Sequence, residues 1–328
     1  MVVLNFQEII EKIDRLEEAN IILAALKFDL FTYLGKAERT SQYVSRKAGL
    51  TLEGTIALLD ALAAMGVLIK TKGKFKNSSE SYKYLCKTSR HYKKGTVFLK
   101  KENRGEWSGL IDIIQNGRKE EDFDGDDDPE FRELFTHAMH ERSEIFSEKL
   151  AKIITRKPVG KLVDLGGGPG SYSAEILKKD KKATALLIDR SASIKIAKKL
   201  LRNLPVYKRF KFLSGDLFET DYGKQNDTVL FSNILHIYDE KENSILLKVI
   251  KKSLKKGGRV VVVDLLLNSD RIKPYAAALF SLTMLMFTKT GKTYTFDETE
   301  LLLKKTGFGK FKRFDLGEGS SVIEAEKL

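Results

Sequence analysis

The chain has one cysteine, Cys86, and five prolines in 328 residues. A single thiol excludes an internal disulfide and any metal cluster built on several thiolates, and it suits a reducing compartment. No apolar run approaches the ~20 residues that span a bilayer. The longest weakly polar stretch, residues 276–287, is broken by Ser281 and Thr283. The first residues lack a basic segment and meet Glu8 early, so they do not read as a signal peptide, and a cytoplasmic protein without a membrane partner is expected. Internal repeats and low-complexity segments are absent as well.

What is present is 42% hydrophobic and 31% charged residues, enough for two domains or one with a large extension. Lys and Arg number 58 against 45 Asp and Glu, a net charge of +13, which makes nucleic acid the first partner to test. Position decides that test. From Phe6 to Tyr33, Ile9, Ile10, Ile13, Leu16, Ala19, Ile22, Leu23 and Leu26 recur at helical spacing and predict an amphipathic helix pair. Residues 40–48 and 51–65 then read as two helices around Gly49, and residues 67–75 as two short strands around Lys72-Gly73-Lys74. That order is a winged helix-turn-helix. Its second helix would have to enter a DNA groove, yet between Ala48 and Ile69 stand Glu53 and Asp60 and no cation. Without phosphate neutralisation a DNA contact has little affinity, so this unit reads as a packing and dimerisation module and a DNA-binding regulator as the minor alternative. Much of the positive charge lies instead in surface clusters such as Lys178-Lys179, Lys181-Lys182 and Lys251-Lys252.

An acidic run follows from Asp122 to Glu130. Its spacing offers calcium-type ligands, but the sixth position, where such a loop needs Gly, is Asp127, so a solvated loop and no metal are expected. Pro129 then opens a helix through Phe131, Leu134, Phe135, Ala138, Met139, Ile145, Phe146 and Leu150.

From Lys161 the pattern changes to short apolar runs alternating with helices. Strands are predicted at residues 161–165, 183–188, 211–213, 227–231 and 259–264, with helices at 173–179, 191–201 and 240–254 between them. Such alternation implies an α/β fold with a doubly wound, mostly parallel sheet. Residues 311–316 and 321–325, joined by Gly317-Glu318-Gly319, add an antiparallel hairpin, for seven strands in all. The first strand ends in Asp164-Leu165-Gly166-Gly167-Gly168-Pro169-Gly170-Ser171. A dinucleotide fingerprint would need glycine at position 171, which is Ser, and the Gly-Lys-Ser/Thr of a phosphate loop is missing.

The pattern that remains, Asp164 with Gly166, Gly168 and Gly170, resembles the class I S-adenosylmethionine-dependent methyltransferases, whose first strand ends this way. The resemblance implies a Rossmann-like domain over residues 156–328 that binds S-adenosyl-L-methionine, with residues 1–155 as the helical winged-helix dimerisation domain of a homodimer. It implies cofactor roles for Asp164 and the three glycines, for Asp189 toward the ribose hydroxyls, and for Asp216, Leu217 and Phe218 around the adenine, with Asn233 beside them. The stretch Asn233-Ile-Leu-His236-Ile-Tyr238 resembles a narrower family, the plant and bacterial natural-product O-methyltransferases, over nearly the whole chain. There the histidine is a general base, which His236 would be here, oriented by Asp264. A second orienting acid of the plant enzymes falls near Thr293, which carries no charge. The resemblance implies a small-molecule acceptor between the domains, lined by Trp107, Phe135, Met139, His140, Phe280, Met284 and Phe287, whose apolar character suits an aromatic or polyketide-like hydroxyl. Carbon or nitrogen methylation, or a relative that keeps the cofactor without methylating, are the alternatives.

Overall fold

The computed structural model of the chain describes residues 3–118 and 128–328, which fall into two compact units, Met1–Arg104 and Gly105–Leu328. Asp122 to Asp127 of the acidic run lie outside the described residues.

The first unit runs α1 (Phe6–Lys27), α2 (Leu30–Leu34), β1 (Arg39–Thr40), α3 (Ser41–Ala48), α4 (Leu52–Ala64), β2 (Leu68–Thr71), β3 (Lys74–Asn77), α5 (Ser79–Leu85) and most of α6 (Lys94–Glu106). Four of these helix starts are written in the sequence. Asn5 and Glu8 close a capping box on α1, and the hydroxyls of Thr40, Thr51 and Ser78 accept backbone N–H bonds at α3, α4 and α5. β2 and β3 pair antiparallel through a two-residue turn in which Lys72 and Gly73 both take positive φ, the twist that a tight hairpin needs. Leu26, Leu30, Phe31, Leu34, Val44, Leu59, Leu62 and Phe75 form the core. The C-terminal half of α1 reaches it, with Ala25 and Leu26 buried and Ile21, Ile22 and Leu23 packed against it, while Phe6, Ile9, Ile13 and Leu16 are exposed.

The second unit opens with a 3-10 turn at Trp107–Gly109, α7 (Leu110–Asn116) and α8 (Pro129–Ile154). Alternating elements follow: β4 (Lys161–Leu165), α9 (Ser171–Lys179), β5 (Thr184–Asp189), α10 (Ser191–Leu201), β6 (Phe210–Ser214), β7 (Asn226–Ser232), α11 (Glu240–Ser253), β8 (Leu254–Leu265), α12 (Tyr275–Phe287), α13 (Phe296–Lys305), β9 (Phe308–Gly317) and β10 (Ser320–Lys327). The seven strands form one sheet in the order β6-β5-β4-β7-β8-β10-β9. The first five are parallel, and β10 is antiparallel to both neighbours.

Strand side chains alternate between two cores, as the pleat requires. Leu162, Leu187, Leu230, Val261 and Val263 pack beneath α8, α9 and α10 with Phe146, Leu150, Ile176 and Ile194. Val163, Ile188, Val229, Phe231, Val260 and Val262 pack beneath α11 and α13 with Leu246, Leu247, Ile250 and Leu303. Covering both faces explains why these strands read as continuous apolar runs. α8 therefore packs with the sheet, although the sequence groups it with the N-terminal residues.

One charge pair is buried in the sheet. The Arg259 guanidinium on β8 donates to Glu324 Oε2 on β10 at 2.8 Å and to the Ile154 carbonyl at 2.8 Å, while Lys157 donates to Glu324 Oε1 at 2.9 Å. Arg259 and Glu324 are each only 4% exposed. Removing one partner strands the other charge in the core, which typically costs ~3–5 kcal/mol. Glu324→Ala is expected to lower unfolding stability by that amount in urea titration; a change under ~1 kcal/mol would show that the pair is hydrated in solution.

Candidate active site

At the end of β4 the chain turns over Gly166–Gly170 into α9, and the loop is pinned to β5 by the N–H groups of Gly166 and Gly167, which donate to the Ile188 carbonyl at 2.9 and 3.3 Å. A side chain at Gly166 would strike Ile234 at 2.4 Å, and one at Gly167 would strike the Asp164 carboxylate at 2.6 Å. Gly168 differs. It holds a left-handed φ of +50°, and a Cβ there would meet no protein atom within 4 Å. The loop is thus packed from behind and open at Gly168, the surface a ligand would meet.

Asp164 lies on the packed side. It is 2% exposed and accepts a 2.5 Å hydrogen bond from Ser173 Oγ in the first turn of α9. Burial pushes its pKa up to about 7, with the Ser173 bond acting against that and the nearby Asp189 charge adding to it.

Asp189, at the end of β5, faces the loop. Its Oδ2 accepts the Gly168 N–H at 2.7 Å and its Oδ1 the Arg190 N–H at 2.7 Å. Burial raises its pKa, while those two N–H groups favour the charged form. The Ser193 side chain is a third donor, and a carboxylate with three donors keeps acceptor capacity for a further one. Asp216, after β6, is exposed, and its Oδ1 takes the Phe218 N–H at 2.7 Å, which shapes the turn that presents Leu217 and Phe218. Phe218 sets its ring edge-on to Tyr238 at 5.2 Å.

After β7, Asn233 adopts a left-handed φ of +55°, a conformation that Asn tolerates better than most side chains, and its N–H donates to the Val263 carbonyl at 2.8 Å. Its side chain hydrogen-bonds to the Tyr172 hydroxyl of α9, which joins the ends of β7 and β4. A 3-10 turn, Leu235–Ile237, then places His236, 8% exposed, against the end of β8. His236 Nδ1 lies 2.6 Å from Asp264 Oδ1, and the His236 N–H donates to Oδ2 at 3.3 Å. Asp264 is 1% exposed and also accepts the Leu265 N–H at 2.7 Å. A carboxylate on Nδ1 fixes the tautomer that leaves Nε2 with a free lone pair.

The residues expected to line a substrate pocket separate into two sets. Phe280 of α12 packs its ring perpendicular to His236 at 4.9 Å, Met284 is buried one turn on, and Phe287 meets Trp107 edge-on at 6.4 Å. The α8 residues make other contacts, beside the glycine loop. His140 Nδ1 is 2.8 Å from Ser171 Oγ at the head of α9, Phe135 stacks on Phe131 at 6.0 Å, and Met139 is half-buried between them in sequence. Thr293 is fully buried, and its hydroxyl has no hydrogen-bond partner among the described residues. Sequence pattern does not single out Tyr172, Asn243, Gly291 or Tyr294, although the fold brings the first to Asn233 and the others to the His236 turn. Asn243 carries a faint signal, following the Asp239–Glu242 capping box, but reads there as a polar helix residue.

With this geometry in view, residues 107–309 match the O-methyltransferase domain family. The chain is 26% identical to the tetracenomycin polyketide synthesis 8-O-methyl transferase of Streptomyces glaucescens over 294 residues, 88% of this chain and 86% of that protein. It is 24% identical to the 3-hydroxy-5-methyl-1-naphthoate 3-O-methyltransferase of Streptomyces sahachiroi over 314 residues, 93% and 91% of the two chains. The fold is similar to that of human N-acetylserotonin methyltransferase in complex with S-adenosylmethionine, with a TM-score of 0.83 at 22% identity over 98% of this chain and 97% of that one.

The raised pKa of Asp164 has a consequence for stability. Between its ordinary value of 3.8 and about 7 the folded chain holds a proton that the unfolded chain has lost, so this contribution falls as pH rises through that window. Asp164→Asn cannot ionise and is expected to remove it, up to about 4 kcal/mol. Urea midpoints for both proteins from pH 4 to 8 check this, and parallel curves would show that Asp164 stays ionised when folded.

Proposed function

The chain belongs to the O-methyltransferase domain family and is an S-adenosylmethionine-dependent enzyme, and we propose that it methylates a hydroxyl on a flat aromatic or polyketide-like small molecule with His236 as the general base. The observation that carries this reading is the 2.6 Å pairing of His236 Nδ1 with Asp264 at the ends of β7 and β8, adjacent in the sheet to the glycine loop after β4. The names of both bacterial relatives specify such acceptors.

The residues at the strand ends suit the cofactor. When bound, S-adenosylmethionine supplies an electrophilic methyl group on a positively charged sulfur. Gly168 leaves room for close approach, and the Asp189 carboxylate can accept from the ribose hydroxyls. The exposed Asp216 carboxylate can accept from the adenine amino group, with Leu217 and Phe218 against the ring and Asn233 closing the opposite side of the loop. Asp164 acts from behind, holding the loop to α9 through Ser173.

On the acceptor side, His236 Nε2 takes the hydroxyl proton as the oxygen becomes a nucleophile. Asp264 keeps Nδ1–H in place and stabilises the imidazolium that forms. Phe280, Met284 and Phe287, with Trp107, offer an apolar wall that aligns a flat ring for in-line transfer and limits water around the base. Incubating the protein with methyl-labelled S-adenosylmethionine and a panel of phenols and hydroxylated polyketides, followed by mass spectrometry, tests the reaction. His236→Ala is expected to lower kcat by ~10²- to 10⁴-fold on the accepted substrate. Full turnover in that variant would leave alignment alone as the mechanism.

The homodimer belongs to the same proposal. Phe6, Ile9, Ile13 and Leu16 stand along one face of α1 and are 76%, 47%, 60% and 64% exposed. An apolar stripe of that length suits burial against a second copy. Ile13→Glu with Leu16→Glu should shift sedimentation from dimer to monomer; an unchanged mass would place any dimer contact elsewhere.

A further inference from the structure

The turn that carries His236 is braced by buried polar groups other than Asp264. We propose that Asn243 and Tyr294 are positioning residues for this base, an inference that rests on the role given to His236 above. A 3-10 turn of three residues has little intrinsic stability, and its carbonyls need donors once it is buried. Asn243, fully buried on α11, directs its Nδ2 at the Leu235 carbonyl at 2.8 Å and at the Tyr238 carbonyl at 2.9 Å, one on each side of His236. Tyr294, 1% exposed, donates its hydroxyl to the same Tyr238 carbonyl at 2.8 Å, and its oxygen lies 3.1 Å from Asn243 Nδ2. The two side chains therefore grip both shoulders of the turn.

The other side is closed by backbone. A Cβ on Gly291 would lie 2.2 Å from the His236 carbonyl oxygen and 2.6 Å from that of Ile237, so the chain at Gly291 touches the turn directly. Arg118 holds that segment by donating to the carbonyls of Gly291 and Thr288, both at 2.6 Å.

This bracing matters because a single carboxylate controls the ring. Asp264 grips the Nδ1 edge and Phe280 faces the ring, but Thr293 supplies no second charge to fix the imidazole. The remaining freedom is displacement of the whole turn, which would move Nε2 relative to the acceptor while leaving the glycine loop and Asp189 untouched. Displacement of a reacting group by about 1 Å can cost 10²-fold in rate.

The test is Tyr294→Phe in the full-length chain, assayed on accepted phenols that span a range of acidity. The expected result is a kcat lower by about 10- to 100-fold on weakly acidic phenols, shrinking toward wild type on phenols already ionised at the assay pH. The acceptor KM and the affinity for S-adenosylhomocysteine should stay within about twofold. A kcat within twofold of wild type, an equal loss across the phenol series, or a loss confined to KM or cofactor affinity would each overturn the inference. Should Tyr294→Phe not fold, Gly291→Ala, which presses on the His236 and Ile237 carbonyls of the same turn, is judged by the same criteria. His236→Ala runs in parallel: if that variant retains turnover, the base assignment fails, whereas a dead His236→Ala with an unaffected Tyr294→Phe rejects only the positioning role.

Discussion

Five parallel strands, β6, β5, β4, β7 and β8, deliver their C-terminal ends to one edge of the sheet, and the chemistry depends on that shared direction. Two hydrophobic cores enforce it, because a strand with apolar side chains on both faces is stable only between layers of helices. At the edge, the connection after β4 runs toward β5 and that after β7 toward β8, so the strand order reverses between them and a crevice opens. Asp189 and the glycine loop stand on one side of that crevice, Asn233 and His236 on the other. Groups from five separate stretches of sequence thus meet without any one stretch encoding a site.

Three carboxylates divide the work through their surroundings. Asp164 has a serine hydroxyl as its partner and sits deep enough to hold a proton near neutrality. Asp189 is fed by two backbone N–H groups and the Ser193 side chain, which favour its charge. Asp264 is paired with an imidazole and a backbone N–H. The same side chain serves as scaffold, as candidate ligand and as candidate partner of a base, and only the local donors distinguish the three.

Much of this was legible in the sequence, because strand ends are marked by chemistry that one chain position records. The apolar runs located all seven strands, and the acids and glycines after them fell where the strands end. Less legible was anything set by packing between distant segments. Helical spacing alone does not reveal that His140 comes within 2.8 Å of Ser171 at the head of α9, or that Phe135 stacks on Phe131. The stripe of α1 reads as an amphipathic face by periodicity, but the spacing does not tell that its leading turns stay exposed while its later ones pack on the core. Asn243 and Tyr294 escape because their function lies in bonds to main-chain carbonyls, and a carbonyl leaves no trace in the amino-acid alphabet.

The hairpin of β9 and β10 sets an order of assembly. β10 lies between β8 and β9 in space, although the ribosome makes it after both. The edge of β8 is therefore uncovered until β10, joined to β9 through Glu318 and Gly319, is paired with it. Until then Arg259 lacks its counter-ion, and the strand that ends in Asp264 is flanked on one side only. The strand that carries the partner of the candidate base is thus held along one side by a segment from far along the chain, which pairs with it through Ser321 opposite Asp264.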